Sequence, residues 1–227
     1  MKVILFGATG MVGQGVLREC LADREVTAAI SVVRQLSGVS DPKLRELVLA
    51  DFLDYTAIAP EFAGADACFY CLGASAAGLD ETGYTRINYD YPLAAAGTLA
   101  KLNPRMTFIY VSGGGTDSTE RGRVMWARVK GRTENALLRL FGGAYMLRPG
   151  FIDATHGEIS KTRLYRAVYR GLRPFLPLLR RIYGRNIVTT VELGRIMLHL
   201  AKHGAAQHIL EIPDLRALAD ELSSPAK

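Results

Sequence analysis

A chain of 227 residues, 49% hydrophobic and 22% charged, has the length of one large α/β domain and enough apolar residues to bury a core. No apolar run approaches the roughly twenty residues of a spanning helix, and MKVILFGATG is too short before its glycines for a secretory leader, so a cytoplasmic protein is expected. Cys20, Cys68 and Cys71 are too few for a disulfide framework, and the net charge of +6 is too small for a wholly basic surface.

KVILF (2–6) predicts a strand and residues 11–22 a helix. AAISVV (28–33), ELVLA (46–50) and ACFYCL (67–72) follow as strands, then a helix over 85–102, a strand TFIYVS (107–112), a helix over 123–141 and a strand AYMLR (144–148). Short, nearly uninterrupted apolar strands alternating with helices predict a parallel sheet covered on both faces, the doubly wound α/β (Rossmann) fold. After RPG (148–150) the pattern loosens into a basic stretch, followed by a helix over 189–203, a strand HILEI (208–212) and a last helix opened by Pro213. No repeat or linker interrupts the chain. Residues 1–227 read as one domain, with the core over 1–152 and a small helical C-terminal cap over 153–227.

GATGMVG places Gly7, Gly10 and Gly13 directly after the first strand and at the start of a helix. The turn needs backbone freedom, a pyrophosphate must reach main-chain N–H groups with no Cβ in the way, and a helix N-terminus favours its charge. Thr9, Met11 and Val12 complete the turn. NAD-binding versions of this motif carry an acid at the end of the second strand, to receive the ribose hydroxyls. Here that strand ends in Arg34, which can hold the extra phosphate of NADP where an acid would repel it, so NADP is expected over NAD. Asp51 and Phe52, after the third strand, are placed to flank the adenine.

The ordered set GATGMVG, CLGAS, Asn88, YVSGGG, Lys130 and LRPG resembles the short-chain dehydrogenase/reductase superfamily, in its extended or atypical branch of sugar-nucleotide epimerases and Tat-interacting-protein-like oxidoreductases. The resemblance covers residues 1–152. It implies that Ser112 orients a substrate carbonyl or alcohol, that Lys130 holds the nicotinamide ribose, and that Asn88 belongs to the active-site framework. By the same resemblance, Leu72 and Gly73 lie near the nicotinamide half, with Pro149 and Gly150 beneath its amide. The family's proton donor is a tyrosine four residues before the lysine, and this chain has Trp126 there. A phenol beside an ammonium can exchange a proton near neutral pH, whereas an indole N–H is a donor with no proton to release. Three readings follow: an NADP-dependent oxidoreductase or epimerase-like enzyme with an altered proton donor, a regulator or redox sensor that binds NADP without turnover, or a tryptophan serving as a stacking platform for substrate.

Other constellations carry less. Cys68 and Cys71 have redox-pair spacing but fall in a strand, where their sulfurs point to opposite faces. His199 and His203 share a helix face without a third metal ligand at motif spacing, so no metal is expected. A hydrolase reading of Ser112 with His156 lacks the nucleophile elbow. Eight basic residues between Lys161 and Arg185, with no acid from Ile159 to Val191, account for the positive charge; without them 20 basic residues face 22 acidic. Their alternation with Leu164, Tyr165, Val168, Tyr169 and Leu172 suits a solvated amphipathic helix, a site for a small anionic substrate, or peripheral contact with an anionic membrane through 161–185. Nucleic acid is not expected, since no aromatic platform on a strand surface is apparent. The oligomeric state is left open.

Overall fold

The computed structural model describes residues 1–154 and 187–223; the basic stretch 161–185 and His156 fall outside them. β1 (Lys2–Phe6), β2 (Ala28–Val33), β3 (Leu44–Val48), β4 (Ala67–Tyr70), β5 (Thr107–Val111), β6 (Ala144–Leu147) and β9 (Ile209–Leu210) form a seven-stranded sheet in the order β3-β2-β1-β4-β5-β6-β9. Every neighbouring pair is parallel. The chain runs outward from β1 in one direction through β2 and β3, then returns to β4 on its other side. That reversal opens a crevice at the carboxyl ends of β1 and β4, the place where doubly wound sheets bind ligands.

Because strand side chains alternate, each buried strand feeds two cores. Val3, Leu5, Phe69 and Ile109 point to the face covered by α1 (Met11–Ala22), α5 (Thr190–His203) and α6 (Ile212–Ser223). Ile4, Phe6, Tyr70 and Phe108 point to the other, under α3 (Tyr91–Leu102) and α4 (Met125–Leu140). On that second face Tyr70, Phe108 and Phe141 stack in series, with ring centroids 6.1 and 5.0 Å apart. Cys68 packs into this core and Cys71 against the other, as strand alternation requires.

Helix α5 lies directly on α1. A Cβ on Gly15 would come within 2.5 Å of the Thr190 Cβ, and one on Gly194 within 2.7 Å of the Glu19 Cγ. Thr189 and Glu192 form a capping box at the start of α5, so its first amides are satisfied locally.

Several bounds differ from the expectation. β3 ends at Val48, two residues before the apolar run does, because its ladder stops with β2 at Val33. The helix expected from residue 85 begins earlier, as α2 (Glu81–Thr85), since the Asp80 carboxylate accepts from the Gly83 N–H at 2.8 Å. It continues through a wide π-helical turn (Arg86–Asp90) into α3. β7 (Phe151–Asp153) and β8 (Ile187–Thr189) pair parallel outside the main sheet, and no local pattern had announced them.

Candidate active site

The turn after β1 is built from backbone. Gly7 has φ +84°, and its carbonyl accepts from the Gly10 N–H at 2.9 Å. A Cβ on Gly7 would meet the Leu72 N at 2.6 Å, and one on Gly13 would meet the Gly7 oxygen at 2.0 Å. Both glycines are therefore required by close approach, the first between β1 and β4 and the second between the helix and its own entry turn. Gly10 is the N-cap of α1 and supplies no side-chain cap. Among the described residues no carbonyl accepts from the N–H groups of Met11, Val12 or Gly13, while the Gln14 N–H closes on Gly10. These amides at a helix N-terminus, with no acid in the first turn, fit a pyrophosphate.

A groove of about 270 Å³ runs from this turn across the sheet, lined by Thr9, Arg34, Phe52, Leu72 and Gly73 among others. Arg34 is exposed, and no ion pair or hydrogen bond of the described residues engages its guanidinium. Phe52 is buried and packs on Tyr91 with centroids 5.7 Å apart. Asp51 is exposed, its carboxylate accepting from the Leu53 N–H at 3.0 Å.

The other expected residues gather around the end of β5. Asn88 is fully buried: its Oδ1 accepts from the Ala74 N–H at 3.2 Å and its Nδ2 donates to the Tyr84 carbonyl at 3.1 Å. It thereby fixes the loop after β4 that carries Leu72 and Gly73. In an α-helical pattern its own carbonyl would receive residue 92, but Pro92 has no N–H. The carbonyl instead accepts from the Thr133 hydroxyl of α4 at 2.7 Å and the Tyr110 hydroxyl of β5 at 3.4 Å. One residue of the π-helical turn thus ties together the β4 loop, β5 and α4.

The Ser112 hydroxyl is buried. It lies 2.5 Å from the Glu134 carboxylate and 3.0 Å from the Leu147 carbonyl, and it has a single proton for the two. Glu134, fully buried, is paired with Arg148, which also reaches Glu211 at 2.7 Å and the Ser118 hydroxyl. The carboxylate bonds of Glu134 and Glu211 outweigh burial and hold the Arg148 guanidinium above its ordinary pKa. The expectation gave Ser112 a substrate to orient; here its hydroxyl is engaged with Glu134.

Trp126 and Lys130 share one face of α4, as their spacing predicts. The indole lies against the glycine loop after β5, its ring edge 3.6 Å from where a Gly115 Cβ would stand. Lys130 donates to the Ser112 carbonyl, and its Nζ stands 5.9 Å from the centroid of the Tyr110 ring. Burial pushes its ammonium down to about 8, against a smaller upward pull from Glu134. Pro149 accepts from the Gly114 N–H at 2.7 Å, which fastens the glycine loop to the segment after β6 that also holds Gly150.

Sequence reasoning missed Glu134 and Arg148. Glu134 stands one helical turn beyond Lys130, and an acid at that spacing on the face of Trp126 and Lys130 was the available signal. His199 and His203 lie with ring centroids 4.9 Å apart beside Lys202, and no group of three or more metal-ligating side chains occurs among the described residues. No described helix is long and apolar enough to cross a membrane.

Residues 7–139 match a protein family described as NAD(P)H-binding. Protein fmp52-2, mitochondrial, of Aspergillus terreus is 30% identical over 169 residues, covering 72% of each chain. Protein HTATIP2 of Rattus norvegicus is 28% identical over 154 residues, 66% of this chain and 62% of that one. Among solved structures, an oxidoreductase of the short chain dehydrogenase/reductase family from Burkholderia thailandensis superposes with a TM-score of 0.67 at 17% identity, over 98% of this chain and 96% of that one. This last likeness is one of fold.

Proposed function

Because the chain belongs to the NAD(P)H-binding family, we propose that it is an NADP-dependent oxidoreductase of the short-chain dehydrogenase/reductase type, acting on a small carbonyl or alcohol without a phenolic proton donor. When bound, the nicotinamide supplies or receives hydride. The unpaired amides of Met11, Val12 and Gly13 receive the pyrophosphate, and Phe52 and Leu72 line the groove beside the dinucleotide. The choice of NADP rests on one observation: Arg34 stands at the groove with an unengaged guanidinium, where a ribose phosphate gains charge-assisted bonds and displaces no existing partner. Three cysteines with no disulfide support a reducing compartment, the cytoplasm being the simplest.

The test compares NADPH with NADH by calorimetry, using the wild type and Arg34→Asp. Wild type is expected to prefer NADPH by about tenfold or more, and the variant to lose that preference, as removal of one charge-assisted contact implies. Equal affinity of the wild type for both coenzymes would overturn the NADP assignment. Absorbance at the nicotinamide band with a panel of carbonyl compounds then reads turnover. A second reading, a regulator that binds the coenzyme without turnover, is favoured by the indole at position 126 and the engaged Ser112 hydroxyl. The two part on the wild type and on Trp126→Tyr: binding with no oxidation in either protein is the regulator's result.

A further inference from the structure

A carbonyl that gains hydride at carbon must gain a proton at oxygen, and α4 carries an indole where the family carries a phenol. The hydroxyls near Ser112 are spent: Ser112 on Glu134, Tyr110 on the Asn88 carbonyl, Thr133 on the Asn88 and Val129 carbonyls, and Thr116 on the Gly113 carbonyl. Glu134 accepts from Arg148 and Ser112 and has no proton to give while that pair is ionised. Lys130 is different. Of the three N–H bonds of its ammonium, one meets the neutral Ser112 carbonyl, and none meets a carboxylate of the described residues.

Resting on the reading of the previous subsection, we infer that Lys130 is itself the proton donor to the substrate oxygen, in the role that the missing phenol fills elsewhere in the superfamily. One Nζ–H bond breaks as an O–H bond forms on the substrate, whose carbon takes hydride from the reduced nicotinamide. The neutral amine left on Lys130 recovers a proton from solvent. The titratable groups facing it are Glu134 on α4, neutralised by Arg148 from the end of β6, and Tyr110 on β5, whose burial drives its own ionisation far above neutrality. The ammonium therefore has no carboxylate of the described residues as a direct partner, and the pull of Glu134, shared with Arg148, is smaller than the cost of burial. Its lowered pKa accords with that setting: at pH 7 the group is mainly charged yet gives up a proton readily. In this account Trp126 limits water at the glycine loop and takes no part in proton transfer.

The test uses the full chain with NADPH and 9,10-phenanthrenequinone as the carbonyl probe. Lys130→Arg keeps a cation but cannot release a proton, so kcat at saturating NADPH is expected to fall about 10²–10⁴-fold. Wild-type kcat is expected to fall about tenfold per pH unit above about pH 8, where the amine loses its proton. Competitive acetylation with acetic anhydride supplies a readout independent of activity: Lys130 is expected to label with a midpoint near pH 8, below the roughly 10.4 of a lysine in a model peptide. A Lys130→Arg variant as fast as wild type, a flat kcat profile from about pH 6.5 to 9.5, or labelling of Lys130 with a midpoint near about 10.4 would each overturn the inference and leave the oxidoreductase reading standing. A wild type that binds NADPH and reduces nothing overturns both.

Discussion

Replacing Gly13 by alanine is expected to weaken coenzyme binding at least about tenfold at a modest cost in stability. The new Cβ would stand 2.0 Å from the Gly7 carbonyl oxygen, 2.6 Å from its carbon and 2.9 Å from the Ala8 Cα. All three are backbone atoms of a turn held by the Gly10-to-Gly7 hydrogen bond, so no side chain can swing aside. Ordinary contact requires the turn to retreat by more than about an ångström, and overpacking of that kind costs about 1–3 kcal/mol. For a chain of this size that lowers Tm by about 2–12 °C. The amides of Met11, Val12 and Gly13 move with the turn, and losing even one or two charge-assisted bonds, at about 1.5–3 kcal/mol each, weakens NADPH by about tenfold to ten-thousandfold. Gly15→Ala is the control. Its Cβ would clash with Thr190 at 2.5 Å, on the α5 side of the same helix. A comparable loss of Tm is expected there, with NADPH affinity within about threefold of wild type. Calorimetry beside thermal unfolding reads both quantities. If Gly13→Ala binds NADPH as tightly as wild type, the amides of this turn are not the pyrophosphate site.

Two further outcomes follow from the same contacts. Glu134→Gln leaves the Arg148 guanidinium buried with Glu211 as its remaining carboxylate; unfolding in urea should show a loss of about 3 kcal/mol, and a loss below about 1 would mean that Glu211 suffices. Burial raises the Asp23 carboxyl, but hydrogen bonds from Lys202 and from the Glu25 and Val26 amides outweigh it, and the net pKa lies below the usual 3.8. A carboxyl lowered on folding adds stability that is complete above its unfolded value and is lost as the pH falls through the folded one. The stability gap between wild type and Asp23→Asn should therefore close on titration from about pH 6 to about pH 2, and a constant gap would refute the linkage.

The legible parts of this chain were those fixed by near neighbours. The glycine turn is a matter of spacing within seven residues, and the sulfurs of Cys68 and Cys71 part because strand side chains alternate. The identity of Trp126 could be read, and its place one turn before Lys130 with it. Its contact with the loop at Gly115 could not, since that depends on how α4 meets the end of β5. The same holds for Ser112, whose hydroxyl is claimed by a carboxylate 22 residues away. Arg148 ended a predicted strand as a plain charge until Glu134 and Glu211 closed on it from two other elements. β7 and β8 pair across the undescribed segment, beyond the reach of any local signal.

Pro92 shows how a local feature and a distant one combine. Its missing N–H is visible in the sequence, and by itself it predicts a weakened helix. In the fold it leaves the Asn88 carbonyl open to hydroxyls from α4 and β5, while the Asn88 side chain grips the loop after β4. Trp126 touches none of these bonds. The indole therefore leaves that frame closed, and Lys130, one turn further along α4, stays directed at the Ser112 carbonyl at the end of β5.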